Sequence, residues 1–162
     1  MPESLFNRVV KGQKLSPSAY AKGLAPQIIN KSFAEVMSTL PVSKQLITRQ
    51  ERLFRRSKKG IGRLIARMKA EGSEERLEKV RRHKVFQSAA ESAKQVVIEQ
   101  LKIEARGQSR WGYLGATSAK EPDFEHALLE GIPLPLERCL EHVSRFGCRH
   151  DIFLLTGEKY HG

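Results

Sequence analysis

Two long stretches of helical periodicity, divided by Gly72-Ser73, restrict the fold of this chain more than any other feature. In the first, which starts at Ser43, Leu46, Ile47, Leu53, Phe54, Ile61, Leu64, Ile65 and Met68 form an apolar seam on one helical face. They include the seven-residue series Ile47, Phe54, Ile61, Met68. In the second, Leu77, Val80, Phe86, Ala89, Ala90, Ala93, Val97 and Leu101 hold the period to about Ala105, and the alanines allow close approach of a neighbouring helix. Ser43 and Ser73 stand where helix caps belong, and Glu74-Glu75 complements the dipole of the second helix. Helices joined by so short a turn run antiparallel, so the spacing predicts a helical hairpin over residues 43–105. Gly60 and Gly62 each cost about 1 kcal/mol relative to Ala in a helix, and a break or kink between Ser57 and Gly62 is the competing expectation.

The flanks are read in the same terms. Leu5, Phe6, Val9 and Val10 suit a short helix or arm, followed by the loop Lys11-Gly12-Gln13-Lys14. Ser16-Pro17 reads as a helix start, Gly23 and Pro26 as an interruption, and Ile28 to Leu40 as a second amphipathic helix ending at Pro41. Residues 1–41 are therefore expected to form an N-terminal helix pair. Beyond the hairpin, residues 106–162 read as a glycine-rich loop and a helical cap. One short helix is expected after Pro122, closed by Gly131, and another after Pro135, carrying Leu136, Cys139, Leu140, Val143 and Phe146 and closed by Gly147. Ile152 to Leu155 has strand length but no evident partner. The fold class expected is all-α, a single helical domain over 1–162 with at most one short C-terminal strand. A chain of 162 residues suits one domain.

Charge is concentrated in the first arm of the hairpin. Lys44 to Lys69 holds ten Lys or Arg against Glu51 alone, a net +9 of the whole chain's +11. Residues 116–162, in contrast, carry −3 and are expected to dock on the basic hairpin or mask it. Arg49, Arg52, Arg56, Lys59, Arg63 and Arg67 recur at three- or four-residue intervals, so a continuous helix presents them on one face. Arg55 and Lys58 add to the array, and Arg81, Arg82 and Lys84 extend it into the second arm. Guanidinium groups offer paired donors to phosphate oxygens, and such contacts gain from counterion release. The alternatives are a solvated helix face, an acidic protein partner or an anionic lipid surface.

Arg110, Trp111 and Tyr113 bring a guanidinium and two aromatic planes together in the glycine-rich loop, where they either stack exposed bases or anchor the loop to the core. Cys139, His142, Cys148 and His150 have the chemical types of zinc ligands, but Cys139 shares the apolar face of its helix and the ligand pairs are closely spaced, so no metal is assigned. No cofactor is implied.

Paired carboxylates beside a nucleophile, a phosphate-binding glycine loop and hydrolase signatures are all missing. Cys148-Arg149-His150-Asp151 puts a thiol, an imidazole and a carboxylate side by side, which is sequence adjacency rather than a spatial triad. No apolar run is long enough for a membrane span, the N-terminus lacks the h-region of a signal peptide, and two cysteines do not make a disulfide framework. These features favour a reducing, cytoplasmic setting, though leaderless export leaves no trace in them. The function expected is non-catalytic nucleic-acid binding in a regulatory or accessory role, with DNA and RNA undistinguished. The alternatives are an interaction module for an acidic protein, such as a secreted effector, toxin or adaptor, and a small metal-independent nuclease using His126, His150 and the tail Glu158-Lys159-Tyr160-His161.

Overall fold

A computed structural model describes residues 3–69, 72–115 and 129–155. Its centre is a 32-residue helix, α5 (Glu74–Ala105), on which the other helices assemble. From Ser92 to Ile98 this helix is buried almost all round, with Ala93, Val96, Val97 and Ile98 fully enclosed. A helix apolar on one stripe packs against one neighbour. One enclosed on every side needs several.

These neighbours are α1 (Leu5–Val9), α2 (Pro17–Asn30), α4 (Lys44–Met68) and α6 (Leu136–Val143), with α3 (Phe33–Met37) bridging α2 and α4. Full burial of each large aliphatic side chain on α5 contributes about 1.5–3 kcal/mol, which makes this helix the main source of cohesion.

The hairpin of α4 and α5 forms as expected. Ser43 donates its N–H to Gln100 Oε1 at 3.0 Å, and Ser57 meets Ser88 hydroxyl to hydroxyl at 2.7 Å, a register that only antiparallel helices give. The helix α4 runs unbroken through Gly60 and Gly62. Its apolar series sinks and then surfaces: Ile47 and Phe54 are buried, Ile61 and Met68 half-buried.

The interruption foreseen in the N-terminal pair lies elsewhere. Helix α2 passes through Gly23 and Pro26 and stops at Lys31, and Ser32 then caps α3 by accepting from Glu35 N at 3.1 Å. Pro26 is exposed, while Ala21, Ala25 and Ile28 are buried on the helix face, where α2 makes extensive contact with α5. Tertiary burial thus outweighs the local cost of about 3 kcal/mol for an internal proline.

The all-α expectation is wrong. A five-stranded antiparallel sheet, ordered β1-β2-β5-β3-β4, closes one side of the molecule. Its strands are β1 (Val10–Lys11), β2 (Lys14–Leu15), β3 (Trp111–Leu114), β4 (Leu134–Pro135) and β5 (Ile152–Leu154). The loop Lys11-Gly12-Gln13-Lys14 is a hairpin, and Gly12 supplies the positive φ (61°) of its two-residue turn. The expected glycine-rich loop at Trp111 is strand β3, in register with β5 through Gly112↔Leu154, Tyr113↔Phe153 and Leu114↔Ile152. The run Ile152 to Leu155, read as lacking a partner, supplies β5, which pairs on both sides. Glycine at 112 is required by space: a Cβ there would stand 2.8 Å from Phe153 O.

Helix α6 ends at Val143 rather than near Gly147, and Phe146 leaves the apolar face on which it was expected, to stand 87% exposed. The helix expected after Pro122 falls mostly outside the described residues.

Candidate nucleic-acid interface

The basic surface is built by helical geometry alone. At 100° per residue, Arg49, Arg52, Arg56, Lys59, Arg63 and Arg67 fall within an arc of about 80° and extend along about 27 Å of α4. All six are exposed, and among the described residues none has an acidic side chain within ion-pair distance. The α4 cation that does is Arg55, 3.3 Å from Glu51. Lys58 lies over the Phe54 ring at 5.2 Å.

The acidic C-terminal third does not mask this stripe within the described residues. Asp151 pairs with Lys14 at 3.1 Å, and Glu130 reaches His150.

The other predicted contacts divide. Arg81 and Arg82 both close on Glu78, at 2.6 and 3.2 Å, so they are not free cations. Hydrogen bonds from Arg81 and then Arg82 hold the exposed Glu78 carboxyl down to about 2, and Arg81 is raised in return. Lys84 is half-buried at the edge of a groove described below.

Trp111 and Tyr113 belong to strand β3, and Arg110 immediately precedes it. The Arg110 guanidinium sits 4.5 Å from the centroid of Phe6. Tyr113 stacks on Phe153 with centroids 5.4 Å apart and 15° between planes. Trp111 is half-buried opposite Pro135. Their planes serve the packing of β3, whose main contacts are with β5, β4 and α6, whereas α4 packs on α5 and α3.

The cysteine and histidine positions do not converge on a point. Cys139 is fully buried with Sγ 3.8 Å from Leu134 O, and burial pushes its thiol up to about 12. Cys148 Sγ lies 3.6 Å from His150 Nδ1, and His150 Nε2 lies 2.8 Å from Glu130 Oε1. An imidazole between a thiol and a carboxylate uses its two nitrogens in opposite directions, and among the described residues no three His, Cys, Asp or Glu side chains are grouped to hold a metal. The structure does join Cys148 to His150, with Glu130 rather than Asp151 as the carboxylate. Cys148 is 2% exposed and His150 fully enclosed, so the arrangement satisfies a buried ring rather than presenting a nucleophile. Of the residues invoked for a nuclease, His126 and the tail at 158–161 lie outside the described residues.

One feature escaped sequence reasoning. A groove of about 740 Å³ lies between α4 and α5, with Ser144 and Phe146 also on its lining. Gln50 lines it and is only 5% exposed. Its position, three residues after Ile47 and four before Phe54, marked it as a polar residue on an apolar face. That was the available signal.

No helix among the described residues is long and apolar enough to cross a membrane. No family model matches the chain, and no curated protein or solved structure does so.

Proposed function

We propose that the protein binds nucleic acid through the phosphates, without catalysis, in an accessory or regulatory role. The observation that carries this reading is the unpaired stripe from Arg49 to Arg67: six exposed cations on one rigid helix, with no acid among the described residues to neutralise them. A merely solvated face gains by interleaving acids, as Glu78 does between Arg81 and Arg82. A phosphate chain is the complementary partner. It supplies regularly spaced oxygens, and each contact releases counterions.

The test is fluorescence anisotropy with labelled DNA and RNA across a salt series, comparing the native protein with the combined variant Arg52→Glu, Arg56→Glu, Lys59→Glu and Arg63→Glu. These side chains are exposed, so circular dichroism should be unchanged. Removing four phosphate contacts should reduce the magnitude of the slope of log K against log salt by about 3. Equal affinity and slope in the two proteins would sink the proposal.

A further inference from the structure

The groove beside the stripe carries a second, finer reading, which rests on the nucleic-acid assignment above: we infer that it receives unpaired bases of a strand whose phosphates lie on α4. Three observations support this. The first is position. Leu53 lies on the groove wall and is the i,i+3 or i,i+4 neighbour of Arg49 and Arg56; Gly60, also on the wall, is the neighbour of Arg56 and Arg63. A strand following the arginines therefore runs along the rim, with Lys84 on the α5 side of the same groove.

The second is apolar surface without cover. Phe146 is 87% exposed and Leu53 46% exposed at the same groove, and Gly60 has nothing within 4 Å of the Cβ it lacks. An exposed aromatic ring on the lining of a groove offers a face on which a base can stack.

The third observation selects a base over an apolar peptide face. Gln50 and Ser92 both line the groove, both are more than nine-tenths buried, and among the described residues neither side chain has a hydrogen-bond partner. Buried amides and hydroxyls are nearly always paired. The occupant that fits combines a flat apolar face with donors and acceptors at its edge and carries negative charge alongside. An unpaired nucleotide has all three, whereas the apolar stripe of an acidic helix would leave the Gln50 carboxamide unsatisfied. Bases in a duplex are stacked and paired, so the proposal requires a single strand or a loop.

The experiment uses the full chain and three labelled DNA probes of about 12 nucleotides, a length within the range of single-strand sites. One is a single strand of mixed sequence, the second a blunt duplex, and the third an abasic strand that keeps the phosphates and lacks the bases. At one salt concentration the base-bearing strand should bind about tenfold tighter than the abasic strand, the size of one lost stacking contact. Phe146→Ala and Gln50→Leu should each reduce that advantage and leave abasic binding unchanged. Phe146 is exposed, and leucine at 50 replaces an unpartnered amide by an apolar group of similar size, so both variants should keep the native circular dichroism.

Equal binding of the base-bearing and abasic strands overturns the inference while leaving the phosphate reading intact. A duplex bound as tightly as the single strand, with Phe146→Ala silent, does the same. Failure of all three probes and of an RNA strand of the same sequence to bind removes both readings, and saturable binding of an acidic amphipathic peptide in that case assigns the groove to a protein partner.

Discussion

The carboxylate of Glu104, in the last turn of α5, accepts the backbone N–H of Leu5 at 2.9 Å across 99 residues of sequence. Its second oxygen takes the N–H of Phe6 at the same distance, and Gln100 Nε2 donates to the first at 3.2 Å. A helix of five residues cannot stand alone, and α1 has two of its first free N–H groups satisfied by a side chain of another element. Glu104→Ala should lower stability by about 1–2 kcal/mol, the range for loss of a helix cap. Urea denaturation measures it, and Glu104→Gln, which keeps an acceptor, should lose less. An unchanged midpoint in Glu104→Ala would mean that burial of Leu5 and Val9 alone holds α1.

Lys94 performs the opposite operation at a helix C-terminus. It is 2% exposed, and its ammonium donates to Arg145 O at 2.8 Å and lies 3.0 Å from Glu91 Oε1. Gln95 adds a bond from Nε2 to Ser144 O at 2.6 Å, so two adjacent residues of α5 tie down the end of α6. Lys94→Met keeps the stem and removes the charge: Arg145 O keeps the Cys148 N–H at 3.1 Å and Glu91 Oε1 keeps Gln95 Nε2 at 3.3 Å, but the carboxylate loses its counter-charge. A loss of about 2–4 kcal/mol is expected in urea denaturation. A variant as stable as the native chain would show that the buried ammonium costs as much to desolvate as its contacts return.

Two glycines should respond to alanine with opposite signs. Gly62 lies inside α4 with open space around its missing Cβ, so Gly62→Ala should stabilise by about 0.5–1 kcal/mol. Gly112 sits in β3 where a Cβ meets Phe153 O at 2.8 Å and Ile152 Cγ2 at 3.1 Å. Since the obstacle is backbone, Gly112→Ala should destabilise by about 1–3 kcal/mol. Thermal melts of the pair decide the point, and the same sign for both would refute it.

Cys139 predicts a dependence on alkaline pH. Burial raises its thiol from 9.0 to about 12, so between these values the folded chain keeps a proton that the unfolded chain gives up. Stability should therefore fall as pH rises through this window, and fall less steeply in Cys139→Ala. Iodoacetamide with intact-mass readout should leave Cys139 unmodified until the chain unfolds. Rapid native modification would contradict its enclosure.

What the sequence disclosed is what repeats locally. The arginines of α4 recur every three or four residues, so their common face follows from helical geometry once the helix is granted. Leu77 to Leu101 disclosed α5 in the same way. The sheet was hidden because β1, β2 and β4 have two residues each, too few for an alternation to register, and because Lys14 meets Phe153 only through the fold. Gly112, read as a mark of a loop, is glycine because a neighbouring strand comes close. The α4–α5 groove was only partly legible: Gln50 stood out as a polar residue on an apolar face, whereas the exposed Phe146 beside it follows from α6 stopping at Val143.

The order of strands has a consequence for synthesis. β5 is the last of the described strands to leave the ribosome, yet it lies in the middle of the sheet, between β2 and β3. The helices around α5 can begin to assemble while the chain is still growing, but β1-β2 and β3 have no common neighbour until Ile152 arrives. A nascent chain released before that point would carry two unpaired strand edges beside an assembled helical body, which is a form that associates with its own copies. Ile152 to Leu154 is thus the segment that joins the two parts of the sheet.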